Sequence, residues 1–245
     1  MLRAEIRKET GVIWGQPSCR PVYTTLATAI GGRIMQAGLD SMKSMEEVIV
    51  EPPALEQRVD PRAWFSGEGP FELEIGCGKG GFLLERARFR PDVHLLGIEW
   101  AHKYFKYAAD RMVRWGATNV RVMRTDAKLF VMRHLVPECV DVLHIYHPDP
   151  WPKARHHKRR LIQPDFVEAA ASCLRDNARL MFQSDHREYF HEAEACLAES
   201  THLQRIEWED AEADAGPAWS GTNFEIKYRA EGRPIYRQAF LRSAR

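Results

Sequence analysis

The chain has 245 residues, of which 44% are hydrophobic and 28% are charged, and its formal net charge at pH 7 is +1. This composition is typical of a folded globular protein and excludes a disordered tail, a collagen and a coiled coil. The longest stretches without charge, such as Pro21–Gly32, are too short and too polar to form a membrane helix of ~20 apolar residues. One large domain, built as a sheet between two helical layers, fits this length.

Residues 1–45 are rich in glycine and proline and show no sustained hydrophobic period. We interpret them as an extension of unknown role that precedes a single domain at residues 46–245. Because methionines occur at Met35, Met42 and Met45, a translation start downstream of Met1 remains an open alternative.

Strand-like and helix-like segments alternate from Phe71 onward, which predicts a parallel sheet with crossover helices on both faces. Strands are predicted at residues 71–75, 94–99, 120–123, 140–146 and 178–183, and two more near 203–208 and 224–228. Helices are predicted from residue 82 to the proline at 91, at 103–115, through 129–135, at 163–174 and at 186–198. The expected fold is therefore α/β and Rossmann-like, with about seven mostly parallel strands.

A glycine-rich turn follows the first predicted strand, where glycine lets the backbone approach a ligand closely. Gly76, Gly78 and Gly81 satisfy the dinucleotide pattern G-x-G-x-x-G. Glu74 with Gly76, Gly78 and Gly80 equally satisfies the E-x-G-x-G-x-G pattern of S-adenosyl-L-methionine enzymes. The turn alone does not choose between these cofactors, and a glycine turn without a ligand is a third interpretation.

Three acidic residues suit a nucleoside cofactor, and two of them, Asp126 and Glu74, favour S-adenosylmethionine over a dinucleotide. Glu99 ends the second strand, where a carboxylate accepts both ribose hydroxyls of either cofactor. Asp126 follows the third strand, where a carboxylate can receive the adenine amino group, and Glu74 suits a cationic amino group better than a pyrophosphate. A solvated acid at Glu99 and a helix N-cap at Asp126 remain the alternatives.

The segment 146–160, YHPDPWPKARHHKRR, contains the acid Asp149 and the aromatic Trp151, followed by a run of basic side chains that no acidic residue interrupts. Asp149 ends the fourth strand, where open α/β sheets face the ligand crevice. The acid can accept hydrogen bonds from the edge of a nucleobase, Trp151 can stack on the face of that nucleobase, and the cations can pair with RNA phosphates. We therefore predict RNA phosphate contacts by Arg155, Lys158, Arg159 and Arg160. The acidic segment 207–214 is interpreted as a solvated loop.

The five cysteines are widely spaced, odd in number and without a C-x-x-C pair: Cys19, Cys77, Cys139, Cys173 and Cys196. Neither a disulfide framework nor a zinc site is predicted, and a reducing, cytoplasmic location is expected. We also expect no metal and no membrane partner.

These motifs together resemble the bacterial tRNA (guanine-N7)-methyltransferase family. The resemblance runs from about residue 50 to the C-terminus, and family members commonly carry Phe where this chain has His147. The matching segments are LEIGCGKG (Leu73–Gly80), GIE (Gly97–Glu99), TDA (Thr125–Ala127), PDPWPKARHHKRR (Pro148–Arg160), SDH (Ser184–His186) and TNFEIKY (Thr222–Tyr228).

The resemblance implies a class I methyltransferase that uses S-adenosyl-L-methionine to methylate N7 of a guanosine in tRNA, usually position 46 of the variable loop. It assigns cofactor contacts to Glu74, Glu99, Asp126 and Asp149 beside the glycine turn, and catalysis also to Asp149. The substrate positions that it implies are Lys153, Asp185, Thr222, Asn223, Phe224 and Glu225. The sequence does not decide between a monomer and a homodimer.

Three other functions are weighed against this one. A methyltransferase for another nucleobase or a protein amide shares the fold, but the basic run and TNFEIKY argue against it. An NAD-dependent oxidoreductase would need an acid–base pair for hydride transfer that the sequence does not offer. A non-catalytic RNA-binding protein would have no use for the set of cofactor acids, which comprises Glu74, Glu99, Asp126 and Asp149.

Overall fold

The computed structural model describes residues 44–208, 227–228 and 230–244. Its strands are β1 (Phe71–Ile75), β2 (His94–Ile98), β3 (Val120–Met123), β4 (Val140–Tyr146), β5 (Leu174–Ser184), β6 (Leu203–Ile206) and β7 (Tyr236–Arg242). Its α-helices are α1 (Met45–Val48), α2 (Gly81–Phe89), α3 (His102–Arg114), α4 (Ala127–Leu129), α5 (Pro164–Cys173) and α6 (Arg187–Ala198). Short 3-10 helices lie at Pro61–Trp64 and Ala154–Arg159, and a π-helical turn at Phe130–His134 continues α4.

The seven strands form one sheet in the order β3-β2-β1-β4-β5-β7-β6. β1 to β5 pair in parallel, whereas β7 is antiparallel to both of its neighbours, β5 and β6. β1 and β2 are buried along their whole length, as central parallel strands are. β2 is mostly apolar, whereas β1 carries the buried acids Glu72 and Glu74 between its apolar residues. The carboxyl ends of β1, β2, β4 and β5 meet at one edge, where ligands bind in open α/β sheets.

Each face of the sheet packs against its own set of helices. On one face Leu73, Leu143 and Phe182 pack with α5 and α6 in the larger core. On the other face Leu95 and Val122 pack with α2 and α3 in a second core. Alternate residues of each strand therefore serve two layers, which confirms the Rossmann-like α/β fold expected from the sequence.

The first six predicted strands are confirmed, although β5 begins earlier, at Leu174. The predicted strand at 224–228 is wrong where the structure describes it, because Lys227 and Tyr228 are helical. The seventh strand is instead YRQAFLR (Tyr236–Arg242) between β5 and β6. Its Gln238 and Arg242 are buried polar residues whose side chains donate to backbone carbonyl groups, so the sequence lacks a clean apolar alternation.

The predicted extension 1–45 lies outside the described residues except for Ser44 and Met45. From Met45 onward the chain packs on the domain, because Val48 is buried and the Val50 amide donates to the Val122 carbonyl at 3.0 Å. Of the helices in the described ranges, none combines the length and the apolar character that crossing a bilayer requires.

Candidate active site

A glycine turn joins β1 to α2 at the carboxyl edge of the sheet. Gly76, Gly78 and Gly80 have φ angles of 73°, 56° and 68°, which other residues rarely adopt. Apart from its chain neighbours, no described heavy atom lies within 4 Å of a Cβ added to Gly76, and one added to Gly78 would meet the Gly76 carbonyl oxygen at 4.0 Å. The backbone at these two glycines therefore borders open space that a ligand can enter.

Two other glycines allow close packing beside this turn. A Cβ on Gly80 would lie 2.9 Å from Met112 Cε and 3.2 Å from Ala108 Cβ, so Gly80 lets α2 begin against α3. A Cβ on Gly97 would lie 2.3 Å from Leu83 Cδ1, so Gly97 lets α2 lie directly on β2. These contacts fix the position of the turn relative to the sheet.

Glu74 is a buried carboxyl group next to the glycine turn, with 4% of the residue exposed. Its Oε2 atom has no hydrogen-bond partner among the described residues. Burial, and after it the negative charge of Glu99, raise the pKa of Glu74 to about 8. An unpaired buried polar group is costly, and a cationic ligand group beside it would remove that cost. This is the environment expected of a carboxyl group that receives a cation.

Glu99 follows β2 and joins the glycine turn to the start of α3. Its Oε2 accepts from the Gly78 amide at 2.9 Å and its Oε1 from the Ala101 amide at 2.7 Å. Each carboxylate oxygen keeps a further lone pair for a ligand hydroxyl. Asp126 is exposed, and its Oδ1 accepts from the Leu129 amide at 3.0 Å, which is the N-cap that the sequence left as an alternative.

The turn after β4 presents Asp149 at the same edge. His147 and Trp151 on either side of it have positive φ angles of 50° and 43°, and such strain in non-glycine residues is concentrated at functional sites. The two prolines that flank Asp149 restrict the backbone further. The side chain of Asp149 is exposed, so a strained and rigid turn holds this carboxylate outward.

A polar network connects this turn to the end of β5. Arg237 Nε donates to Gln183 Oε1 at 3.1 Å, which orients the amide so that Gln183 Nε2 donates to His147 Nε2 at 2.7 Å. On the other side of the ring, His147 Nδ1 lies 3.5 Å from Asp185 Oδ1. Asp185 Oδ2 in turn lies 3.3 Å from Arg233 NH1. The predicted site residue Asp185 is thus held beside the Asp149 turn through His147.

Four of the predicted substrate residues, Thr222, Asn223, Phe224 and Glu225, lie outside the described residues. The last residue of their motif, Tyr228, is described, and its ring lies 5.3 Å from that of His147. Burial, and after it the charge of Asp185, raise the pKa of Tyr228. The TNFEIKY motif therefore ends at the network between β4 and β5. Lys153 is exposed just beyond the Asp149 turn.

The basic run forms a 3-10 helix, Ala154–Arg159, directly after the Asp149 turn. The side chains of Arg155, Lys158 and Arg159 are exposed, and the Arg159 guanidinium lies over the Trp151 ring at 5.0 Å. These cations are accessible to an anionic partner next to the carboxyl edge of the sheet.

Arg160 differs from the other cations, and the prediction that it contacts an RNA phosphate is wrong. Its side chain is fully buried, and its guanidinium pairs with Glu188 at 3.1 Å and with Glu192. Its Nε donates to the Pro150 carbonyl at 2.9 Å. Nothing in the basic run indicates which of its side chains turns inward, so the sequence could not distinguish Arg160 from the others. Arg160 ties the Asp149 turn to α6.

Sequence reasoning also missed a buried network beneath the glycine turn. Arg86 donates to both oxygens of Glu72, at 2.6 and 2.9 Å, and His144 Nε2 lies 2.9 Å from Glu72 Oε2. Burial lowers the pKa of His144, so its neutral ring donates to Glu72 and accepts from the Tyr146 hydroxyl at 2.8 Å. The E-x-E spacing in β1, which puts Glu72 and Glu74 on one face, is the signal that could have revealed it.

Comparison with known proteins agrees with this geometry. A family model described as a putative methyltransferase matches residues 68–238. A tRNA (guanine-N(7)-)-methyltransferase of Myxococcus xanthus (strain DK1622) is 32% identical over 206 residues, covering 82% of this chain and 100% of that protein. Its counterpart in Streptococcus equi subsp. zooepidemicus (strain MGCS10565) is 30% identical over 193 residues, covering 78% of this chain and 89% of that protein.

Among solved structures, the aminoglycoside resistance methyltransferase NpmB1 superposes with a TM-score of 0.51 at 15% identity, covering 72% of this chain and 89% of that one. The antibiotic-resistance methyltransferase Kmr gives a TM-score of 0.51 at 13% identity, covering 74% of this chain and 90% of that one. At these identities the likeness concerns the fold alone.

Proposed function

The chain belongs to the tRNA (guanine-N7)-methyltransferase family, and we propose that it transfers a methyl group from S-adenosyl-L-methionine to N7 of a guanosine in tRNA, at position 46 of the variable loop. One observation carries this proposal: three features lie at the same edge of the sheet. They are the buried Glu74 with an unpaired carboxyl oxygen, the glycine turn beside open space, and the exposed Asp149. The cytoplasmic location expected from the cysteines stays a prediction.

The residues of the glycine turn fit the proposed cofactor. Glu74 has a buried oxygen without a hydrogen-bond partner among the described residues, and its pKa is raised. A cationic amino group would pair with this oxygen and favour the carboxylate form. Gly76 and Gly78 leave room for the ligand against the backbone, and Glu99 is placed to accept from ribose hydroxyls. Asp126 is assigned the adenine amino group, in addition to its N-cap.

Bound S-adenosylmethionine supplies a methyl group on a cationic sulfur; the N7 lone pair of guanine takes this group while the carbon–sulfur pair returns to sulfur. Guanine N7 carries no proton, so the chain needs no general base. Asp149 instead positions the base by accepting from its N1–H and amino groups, which adenine does not offer together. Because positive charge develops on the purine, a fixed carboxylate there gains interaction in the transition state.

The proposed function is tested with two unmodified tRNA transcripts that differ only at position 46, one carrying guanosine and the other adenosine. We expect label from S-adenosylmethionine only in the guanosine transcript, followed by a single chemical cleavage at the resulting 7-methylguanosine. Equal labelling of both transcripts would assign another acceptor. No label in either, with cofactor binding intact, would contradict the proposal for the chain acting alone.

Binding of S-adenosylmethionine at pH 7 is expected to release about one proton from Glu74. Without ligand its pKa of about 8 keeps the group protonated at pH 7, and a cation beside it favours the carboxylate. Cofactor affinity should therefore rise with pH to a maximum near pH 8 and fall at higher pH, because the amino group of the ligand then loses its own charge. Calorimetric titration in two buffers with different ionisation enthalpies measures the released proton.

Two controls separate Glu74 from other titrating groups. The Glu74→Gln variant should release no proton, bind S-adenosylmethionine more weakly and stay folded, because the amide carries no buried charge. 5′-Methylthioadenosine, which lacks the amino acid part, should bind the wild type without proton release. Release by both ligands, or by the variant, would contradict the role of Glu74.

The Lys158→Ala/Arg159→Ala variant should bind tRNA with a shallower salt dependence. Each lost phosphate contact reduces the slope of log K against log salt by ~0.7–0.9, so the expected reduction is about 1.4–1.8. The matched control is Arg133→Ala/Arg175→Ala, which also removes two exposed charges, one next to the α5 and α6 core and one at the start of β5. A slope unchanged from wild type would show that Lys158 and Arg159 do not contact RNA phosphates.

A further inference from the structure

The solvent-exposed side of α3 carries aromatic side chains that its fold does not require. The opposite side of this helix supplies the core contacts through Phe105, Ala108 and Met112. Aromatic residues nevertheless recur on the exposed side: Trp100 is 67% exposed just before the helix, Tyr104 and Tyr107 are each 42% exposed within it, and Trp115 is 55% exposed at its end. An amphipathic helix normally places polar residues there, so this row needs another explanation.

Cations accompany three of these four aromatic rings. Arg88 lies over the Trp115 ring at 4.3 Å, and Arg124 lies over the Trp100 ring at 5.9 Å. The Tyr107 ring has two cationic neighbours, Lys79 of the glycine turn at 5.6 Å and Arg111 at 5.2 Å. Aromatic rings combined with basic side chains are the elements with which proteins bind unpaired nucleic acid bases and their phosphates.

The charge of the helix points the same way. α3 contains four basic side chains and one acidic one, Asp110, and that acid pairs with Arg114 at 2.7 Å. Lys103 and Lys106, each directly before one of the two tyrosines, are exposed. Lysine is depleted at the cores of protein–protein interfaces, so a polyanionic partner fits this surface better than a second protein does.

The position of the surface connects it to the candidate active site. Three residues, 99–101, separate β2 from α3, and in this connection the Ala101 amide donates to Glu99. β2 and β5 are separated by β1 and β4, so their carboxyl ends lie about 14 Å apart, or roughly four nucleotide steps of 3.4 Å. From there α3 runs ~20 Å away from the carboxyl edge.

We infer that this α3 surface, from Trp100 to Trp115, is a second tRNA-binding surface that holds a part of the same tRNA outside the modified nucleotide by base stacking and phosphate contacts. The inference rests on the proposed function. It assigns the surface to substrate affinity and not to the chemical step, because Asp149 and the polar network lie at the ends of β4 and β5.

Two variants test the two components of this surface. Lys103→Ala/Lys106→Ala should reduce the salt slope of tRNA binding by about 1.4–1.8, and Tyr104→Ala/Tyr107→Ala should weaken tRNA binding about tenfold or more. Both should raise KM for tRNA while leaving kcat at saturating tRNA and the Kd for S-adenosylmethionine unchanged. The conservative Tyr104→Phe/Tyr107→Phe variant should keep wild-type affinity, since phenylalanine also stacks.

The controls give each outcome one meaning. Arg133→Ala/Arg175→Ala should change the tRNA slope and KM much less than the lysine variant. Methylation by the wild type together with unchanged tRNA binding by both α3 variants would overturn the inference alone, whereas an inactive wild type would overturn the proposed function. A change in molecular mass by light scattering in the tyrosine variant would assign the surface to contact between copies of the chain. Protection of Lys103 and Lys106 from acetylation by tRNA tests the wild type directly, and unchanged labelling would count against it.

Discussion

Replacing Asp149 by Ala is expected to reduce kcat by on the order of 10²–10³ at saturating tRNA, while the affinity for S-adenosylmethionine falls only modestly. The carboxylate lies on an exposed, strained turn and is assigned the guanine edge and the positive charge that develops on the purine. Losing one fixed group that stabilises transition-state charge commonly costs a factor of this size. Single-turnover rates with saturating tRNA, together with calorimetric cofactor binding, measure the two effects separately.

The matched control for this prediction is Asp176→Asn, which changes an exposed acid near the opposite end of β5. It should leave both the rate and the cofactor affinity unchanged. Asp149→Asn adds a distinction, since the amide keeps some hydrogen bonding but loses the charge, and its rate should fall between the wild type and Asp149→Ala. A near-normal rate in Asp149→Ala would rule out the proposed role.

Replacing Glu72 by Gln is expected to lower the free energy of unfolding by about 3–5 kcal/mol, because the buried Arg86 guanidinium loses its counter-charge. The Glu72 side chain is 2% exposed and the Arg86 side chain 8% exposed, so solvent does not replace the lost interaction. Urea unfolding followed by circular dichroism measures the change. Glu68→Gln, an exposed acid just before β1, should have little effect.

A double variant separates the cost of leaving one charge of the ion pair unpaired from the general cost of altering the core. Glu72→Leu/Arg86→Met removes both charges, and we expect it to recover much of the stability lost by Glu72→Gln, because no unpaired charge remains buried. If the double variant were as unstable as the single one, packing rather than the unpaired charge would explain the effect.

The same network gives stability a defined acid dependence. Burial raises the pKa of Glu72, but hydrogen bonds from His144 and Arg86 outweigh it and bring the pKa to about 2. This contribution is complete above the ordinary pKa of 4.5 and is lost as the pH falls toward 2. Burial lowers the pKa of His144 from 6.5, so the unfolded chain binds this proton first, and the contribution of His144 to stability declines already below pH 6.5. In the Glu72→Gln variant, the loss of stability between pH 4.5 and 2 that Glu72 causes should disappear.

Local sequence patterns determined most of the fold and the main elements of the site. Strand-like runs of four to seven residues, alternating with helix-like segments, specified β1 to β4, because that alternation is the local pattern of a parallel sheet with crossover helices. The glycine turn and the Pro148–Arg160 segment were readable for a similar reason. Backbone geometry at a turn and a dense cluster of charge are local properties of the chain.

Other features were decided only by the tertiary structure, because they depend on residues far apart in the sequence. β7 carries buried Gln238 and Arg242, whose side chains donate to the Ile206 and Ala171 carbonyl groups of other segments, so no local pattern marked it as a strand. Arg160 reads as one more cation of a basic run until α6 brings Glu188 and Glu192 against it. The raised pKa of Glu74 likewise requires the burial and the neighbouring Glu99 that the folded sheet supplies. Sequence thus specified which groups are present, and packing decided which of them are charged, buried or free to meet a substrate.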